Sequence, residues 1–462
     1  MLTGPALTGF FAGWYGADVP SAGFQKAEPP LVACLVHPVL HTGCSPPPPP
    51  TPPFAPYRRA PRVSTRPRPP PPGPGPPGAT PVSALNWVEI DLGAVRANVR
   101  ALRGLAGAAE FAAVVKADGY GLGAGAIGRA ALDAGAGRLC VFALDEAQAL
   151  REAGIDAPIL VLGPLRPDDA PRVAGLGVAC TLTRAELVGP LARAAAGGPP
   201  IPVHVKVDTG MRRLGPPPAA AEALVAAVRA EPALRLEGFY THFPNAESPS
   251  TDGPGEDGRH DTERRFARFL PLAERAGAPL RHAANSATLL RFPRMALDLV
   301  RVGAGVYGFG PGAAAEPAAD LLRPVATWRA MLVQTHDLAP GESVSYGGTW
   351  TASRPARVGV VAVGYADGFR HALSNRGAML VRGRRAPVVG AVCMDMTLVD
   401  LSDVPGAAVG DIATLIGRDG GAEISLQDFA ERCGTIPYEV LTGLGPRPER
   451  RYIDAAATPG RA

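Results

Sequence analysis

Residues 111–123 read FAAVVKADGYGLG. A short apolar run bounded by glycines suits a buried strand, and Lys116 stands where that strand meets its loop. Taken alone, a strongly hydrated lysine is a surface residue. Composition points elsewhere. Of the 46 basic residues in the chain, only Lys26, Lys116 and Lys206 are lysines. Arginine serves wherever a positive charge is enough. The remaining lysines are read as places that need an amine able to lose its proton, which a guanidinium cannot supply. Lys116 is therefore taken as a Schiff-base amine.

Outward from this stretch the same texture repeats. Apolar runs occur at FAAVVK (111–116), LCVFAL (139–144), PILVLG (158–163), VACTL (178–182), IPVHVKV (201–207), LRLEGFYTHF (234–243), LRHAAN (280–285) and LDLVRVG (297–303). Alanine-rich amphipathic segments such as Asp145–Ala153 and Ala219–Arg229 lie between them. Strands alternating with helices over about 200 residues predict a (β/α)8 barrel, with an open doubly wound sheet as the alternative. Barrel active sites gather at the C-terminal strand ends. Those ends carry Lys116, Lys206, Asp208, His242, Asn285, Ser286 and Arg301. For His242 alone the plain alternative is a structural histidine, and for Arg301 a core ion pair with Asp298.

After about Leu321 the helical rhythm stops. Strand-like runs take over: VATWRAMLVQ, RVGVVAVGY, AMLVRG, APVVGAVCMDMTLVDL and AVGDIATLIG, with one serine-capped helix, SLQDFAERC. The expected organisation is an α/β barrel over residues 83–320 and a mainly β domain over 321–455. Residues 1–82 and a short tail, 456–462, stand outside both.

The apolar share of 46% is ample for buried cores. SPPPPPTPPFAP and RPRPPPPGPGPPGATP cannot form helix or central strand, because proline lacks the N–H and fixes φ. Extended polyproline II or disorder is expected there. Translated sequence upstream of the true start, a flexible tail and a targeting segment all remain open for this region. It carries the whole net charge of +4, and the rest of the chain balances at zero. The basic pI thus gives no case for nucleic-acid binding. Six cysteines, at 34, 44, 140, 180, 393 and 433, show no metal-ligand spacing and are read as buried free thiols in a reducing compartment. No apolar run is long enough for a membrane span.

The motifs then add up to a family. WVEIDL, VVKADGYGLG, KVDTGMRRLG (206–215), FYTHF (239–243), HAANSA (282–287), VRVGAGVYG (300–308), SVSYGGTW (343–350), GYADG (364–368), CMDM (393–396) and TIPYEVLTGLGPR (435–447) together resemble alanine racemase, a fold-type III pyridoxal-phosphate enzyme. The resemblance covers about residues 85–455. It implies that Lys116 carries the cofactor and that Lys116 and Tyr346 move protons on opposite faces of the substrate Cα. It pairs Tyr346 with His242, and His242 with Arg301, which faces the pyridine nitrogen. Tyr120 and Tyr438 match the family's phosphate-contacting tyrosines, and Ser286, Gly303 and Ala304 follow the seventh and eighth barrel strands, whose loops typically hold a phosphate in such barrels. Arg213, Met394 and Tyr365 match substrate-side residues, and Lys206 matches a lysine carbamylated in some members. It further implies a homodimer with Tyr346 reaching the partner's barrel, a cytoplasmic enzyme, and D-alanine supplied to peptidoglycan. Leu122, Arg212, Pro244, Asn245, Glu247 and Ala391, and the long polar loop 248–259, depart from the usual pattern without removing a catalytic group. A broader amino-acid racemase and a non-catalytic pyridoxal-phosphate carrier are the other readings. The carrier has no use for the β domain or Tyr346.

Overall fold

The computed structural model describes residues 84–248 and 258–454. The sequence readings of residues 1–82, of the tail 456–462 and of most of the loop 248–259 lie outside the described residues. The first strand, β1 (Asn86–Asp91), runs directly into helix α1 (Leu92–Ala106). Asp91 makes the junction: its carboxylate accepts from the Ala94 N–H at 2.9 Å, satisfying one of the open donors of the helix start.

Eight parallel strands follow: β2 (Glu110–Val114), β3 (Arg138–Val141), β4 (Ile159–Val161), β5 (Ala179–Leu182), β6 (Ile201–Lys206), β7 (Leu234–Tyr240), β8 (Leu280–His282) and β9 (Leu299–Val302). Their order is β8-β7-β6-β5-β4-β3-β2-β9. Two backbone bonds bring the ends of this order together, Asp298 N–H to Arg281 C=O at 3.1 Å and Arg301 N–H to Ala284 C=O at 3.0 Å. The result is a near-closed (β/α)8 barrel. Its strands read as almost continuous apolar runs because both faces are covered, by the barrel interior and by the outer helices.

The boundary at residue 83 groups Asn86–Asp91 with the barrel, and the structure corrects this. β1 pairs antiparallel with Ala326–Leu338 and parallel with Glu449–Ile453, in the second sheet. β2–β9 already make up the near-closed barrel, whose two ends bond to each other and leave no place for a ninth strand between them. The N–H and C=O groups of β1 must be satisfied elsewhere.

That second sheet is mostly antiparallel and centres on Ala326–Leu338, which also pairs with Ala356–Val361 and Ile412–Asp419. Trp328, Phe369 and Phe429 form its aromatic core, with ring centroids 5.7–6.2 Å apart. The expected helix is Leu426–Cys433, and Ser425 caps it reciprocally with Asp428. The run 386–401 is strand only at its two ends. Its middle loops out and bonds instead to the turn 365–367, through Tyr365 N–H to Cys393 C=O at 3.0 Å and Ala366 N–H to Met394 C=O at 3.1 Å. Cys140 and Cys180 are buried and free, whereas Cys393 and Cys433 are free but only half-buried, so not every described thiol is a core residue.

β1 thus joins the first described residues to the second domain through buried side chains. Ile90→Ala should lower the urea unfolding free energy by about 2–5 kcal/mol. Leu85→Ala, just outside the strand and half-exposed, should change it by less than about 0.5 kcal/mol.

Candidate active site

Lys116 lies just beyond β2, half-buried, and the backbone that follows it is unusual. Ala117, Asp118, Gly119 and Tyr120 have φ of 53°, 50°, 61° and 56°, one short left-handed turn. Such φ values cost a non-glycine residue about 1–2 kcal/mol each, so the turn needs external support. The Glu146 carboxylate accepts from the Ala117 N–H at 2.7 Å, and Asp118 accepts from the Ala124 N–H at 2.9 Å. The second domain clamps the same loop. Arg450 donates to the Gly121 carbonyl at 3.2 Å, and the Tyr452 hydroxyl donates to the Leu122 carbonyl at 3.1 Å. Burial and the Arg213 charge hold the Lys116 amine below the ordinary lysine range, against Glu146 and Cys140, which raise it.

The barrel mouth beside it is cationic. Lys206, buried at the end of β6, has its amine brought down to about 8 by burial and by Arg301 and Arg213, with Asp208 opposing. Arg301, on β9, is 4% exposed. Its Nη1 lies 2.6 Å from His282 Nδ1, and its Nη2 donates to the carbonyls of Thr241 at 2.9 Å and Ala283 at 3.3 Å. The guanidinium also lies 4.8 Å above the Tyr240 ring. No carboxylate pairs with it among the described residues. Asp298, the ion-pair alternative from sequence, binds Arg281 instead, at 2.6 and 3.1 Å. His242 stands next to Arg301, with Nδ1 3.5 Å from Nη2. Burial, then Arg301, Arg213 and the two lysines, holds His242 well below its ordinary range, so the ring is neutral.

On the other side of the mouth lies a set of small donors. The Ser286 hydroxyl oxygen accepts from the N–H groups of Gly303 at 3.0 Å and Gly305 at 3.2 Å, leaving its own O–H to donate outward. Ala304 is buried, and its N–H donates to no group among the described residues. The Tyr120 hydroxyl comes so close to Gly303 that a Cβ there would collide with it. Tyr120 also packs against Tyr307 at 4.4 Å and against Tyr438 of the second domain at 5.9 Å. Glu247 accepts from the Tyr438 hydroxyl at 3.4 Å, and burial raises its carboxyl. Asn285 has a local task as the N-cap of Ser286–Arg291.

Arg213 is exposed at the rim, where it and Asp208 help line a cavity of about 540 Å³ with Pro164, Thr183, Arg184 and Leu214. Tyr346, Tyr365 and Met394 are not at this mouth. They lie together on the second domain, tied by the Ser345 hydroxyl donating to the Ala391 carbonyl at 2.6 Å and by the loop bonds described above. All three are exposed, Tyr346 by 76% on a turn where Ser345 has φ 63°. The structure brings Lys116, Tyr120, Lys206, Arg213, His242, Ser286, Arg301, Gly303, Ala304 and Tyr438 to one region. It does not bring Tyr346 to His242 within the chain.

Sequence reasoning passed over Glu146, His204, Tyr240 and His282. A period-2 signal was available for one of them, since His204 precedes Lys206 by two on a strand and must share its inward face.

Comparison with known proteins bears on this geometry. Family profiles described as alanine racemase, N-terminal domain, and alanine racemase, C-terminal domain, match residues 90–311 and 325–452. The chain belongs to the alanine racemase family. The alanine racemase of Desulfosudis oleivorans is 40% identical over 390 residues, covering 80% of this chain and 97% of its own. That of Geobacillus kaustophilus is 42% identical over 372 residues, covering 79% and 94%. The crystal structure of alanine racemase from Bacillus anthracis with bound L-Ala-P superposes with a TM-score of 0.73 at 34% identity, over 81% of this chain and 97% of that one. Alanine racemase family membership implies a cofactor.

The lowered amines can be read directly. In a lysine-selective NMR titration of the cofactor-free protein, Lys206 should titrate near 8 and Lys116 below 10.5. Asp208→Asn should move the Lys206 midpoint further down, because Asp208 raises it. A Lys206 midpoint at the ordinary lysine value would contradict this account of the mouth.

Proposed function

We propose that this protein interconverts L- and D-alanine with pyridoxal 5'-phosphate as its cofactor. The observation that carries the reading is Lys116: a strand-end amine held below its usual range, in a mouth with a buried arginine that no carboxylate among the described residues pairs with. The residues fit the cofactor at each of its polar ends. Lys116 suits its aldehyde. The Ser286 hydroxyl, the Ala304 N–H and the hydroxyls of Tyr120 and Tyr438 suit its phosphate. Burial favours the neutral form of Glu247, which lessens repulsion between its carboxyl and a phosphate beside Tyr438. Arg301 suits the ring nitrogen.

When bound, pyridoxal phosphate supplies the electron withdrawal that acidifies the substrate Cα–H. Lys116 then takes or gives the Cα proton on one face. Racemisation needs a second group on the opposite face, and Tyr346 is that group. With Tyr346 exposed on the second domain and making no hydrogen bond or ring contact among the described residues, a second copy of the chain delivers it to the mouth. The active species is thus a homodimer with two composite sites. Met394 and Tyr365 arrive on the same surface, narrowing the mouth and bordering the substrate carboxylate, which Arg213 binds. His242 presents a neutral ring to the arriving tyrosine and is oriented by Arg301. Arg301 itself can only donate, so it disfavours a protonated ring nitrogen, keeps the pull on Cα moderate and favours proton exchange over amino-group transfer. We place the enzyme in the cytoplasm, supplying D-alanine for peptidoglycan. No helix among the described residues is long and apolar enough to cross a membrane.

Proton NMR of L-alanine in D2O with the cofactor-loaded protein should show loss of the Cα proton together with appearance of D-alanine. Exchange without inversion would remove Tyr346 from the mechanism. Lys116→Ala and Tyr346→Phe should each lower kcat by at least about 10²-fold. Mixing and refolding the two variants together should recover about a quarter of the wild-type activity, because half the twofold dimers then hold one intact site. Flat inactivity on mixing would argue against composite sites. Lys206, with its neutral form accessible near 8 and three cations around it, is set to carry a carbamate that would neutralise part of that charge. Native mass spectrometry should show an added carbamate that is lost on acidification and absent from Lys206→Arg.

A further inference from the structure

Four side chains on four strand segments form a hydrogen-bonded line through the barrel interior. His204 Nε2 on β6 lies 2.8 Å from Glu237 Oε2 on β7, and His204 Nδ1 lies 2.8 Å from His282 Nε2 on β8. His282 Nδ1 lies 2.6 Å from Arg301 Nη1 on β9. Both histidines are fully buried. Arg301 belongs to the candidate active site. Glu237 sits toward the N-terminal end of the barrel, where Arg138 donates to it at 3.0 Å and to Glu110 at 2.6 Å.

The two ends of the line fix its direction. A guanidinium has only donors and an ionised carboxylate only acceptors. His282 Nδ1 must therefore accept from Arg301, and a neutral His282 carries its proton on Nε2, directed at His204 Nδ1. A neutral His204 in turn carries its proton on Nε2, directed at Glu237. Burial, followed by the charge of Arg301, holds His282 well below its ordinary range, and burial lowers His204 despite Glu237. Burial also pushes the Glu237 carboxyl up, but His204 and Arg138 outweigh it and bring it to about 2. The fold makes room for the line. The β6–β7 register shifts between Val203 and His204, and a Cβ on Gly238 would run into the His204 ring. Tyr240 stacks on His282 at 4.5 Å and 8°, which holds the plane of that ring beneath Arg301.

We propose that Glu237 is a positioning residue for the reaction: through His204 and His282 it sets the lone pair that orients the Arg301 guanidinium toward the cofactor ring. The proposal rests on the racemase reading only for what Arg301 faces. The line itself is a property of the barrel. With no acceptor at position 237, only Arg301 still favours these tautomers. The His204 Nε2–H is left buried without an acceptor, and Arg138 Nη1, 3.4 Å from that nitrogen, favours it as an acceptor instead, so the other tautomer, which turns an N–H toward Arg301, becomes populated.

Selective 15N-histidine NMR on the full-length, cofactor-loaded protein tests this, with resonances assigned by single His→Gln variants. In the wild type both His204 and His282 should be protonated on Nε2 alone and gain charge only at a pH below that of a free histidine. A wild-type His282 protonated on Nδ1 overturns the proposal, whatever the variants do. Glu237→Leu should give mixed tautomers at both rings and lower kcat about tenfold with KM little changed, the size seen for outer partners of ligating histidines. Glu237→Gln keeps a carbonyl acceptor and should recover both the tautomers and most of kcat. A Glu237→Leu protein whose His282 signals do not move, or a Glu237→Gln protein that recovers neither, also overturns it. Correct tautomers in a wild type that does not exchange the alanine Cα proton would reject the racemase reading and leave the line standing.

Discussion

A guanidinium buried at the barrel mouth, with no carboxylate paired to it among the described residues, is the constraint around which the rest of the site is arranged. Stripping hydration from such a charge is costly unless other polar groups replace the water. Here the replacements are neutral: His282 Nδ1, the carbonyls of Thr241 and Ala283, and the face of Tyr240. The nearby acids are engaged elsewhere, Asp298 with Arg281 and the pair Glu110 and Glu237 with Arg138. The mouth therefore keeps an excess of positive charge. Burial first, and that excess with it, lowers Lys116, Lys206 and His242, and the charge prepares the region for an anionic ligand.

The lysine loop shows how the two domains depend on each other. A left-handed turn after Lys116 is unfavourable for Ala117, Asp118 and Tyr120, and a loop on its own would not hold it. Glu146 supports it from within the barrel, and Arg450 and Tyr452 support it from the second domain. The strand that carries Arg450 and Tyr452 is itself paired with β1. The first described strand of the chain thus anchors the segment that clamps the lysine loop. Stability of the second sheet and geometry at Lys116 are in this sense one property.

The surface of the second domain has a different logic. Its core is a closed aromatic cluster, yet Tyr346, Tyr365, Met394 and Met396 are exposed on hydrogen-bonded loops near one another. Large side chains held outward on ordered turns, one of them with positive φ at Ser345, are costly to the monomer. A partner surface that covers them, as in the composite site proposed above, accounts for that arrangement.

The sequence by itself determined a good deal. Period and run length placed the eight barrel strands, the serine at position 425 marked a helix start, and the scarcity of lysine singled out Lys116 and Lys206. These signals are local, or they are statements of composition, and a linear chain carries both. Only the tertiary structure decided where β1 pairs, because an edge strand and a barrel strand share one pattern and differ only in which partner has open hydrogen bonds. It also decided that Arg301 answers to His282 rather than to Asp298, though the aspartate lies three positions away. Along a strand, neighbours at odd spacing point to opposite faces, so nearness in sequence there argues against contact. Barrel closure brings His204, Glu237 and His282 to the same interior line, and helix packing brings Tyr438 to Tyr120. Contacts of that kind depend on the register between strands distant in sequence, which no single stretch of the chain encodes.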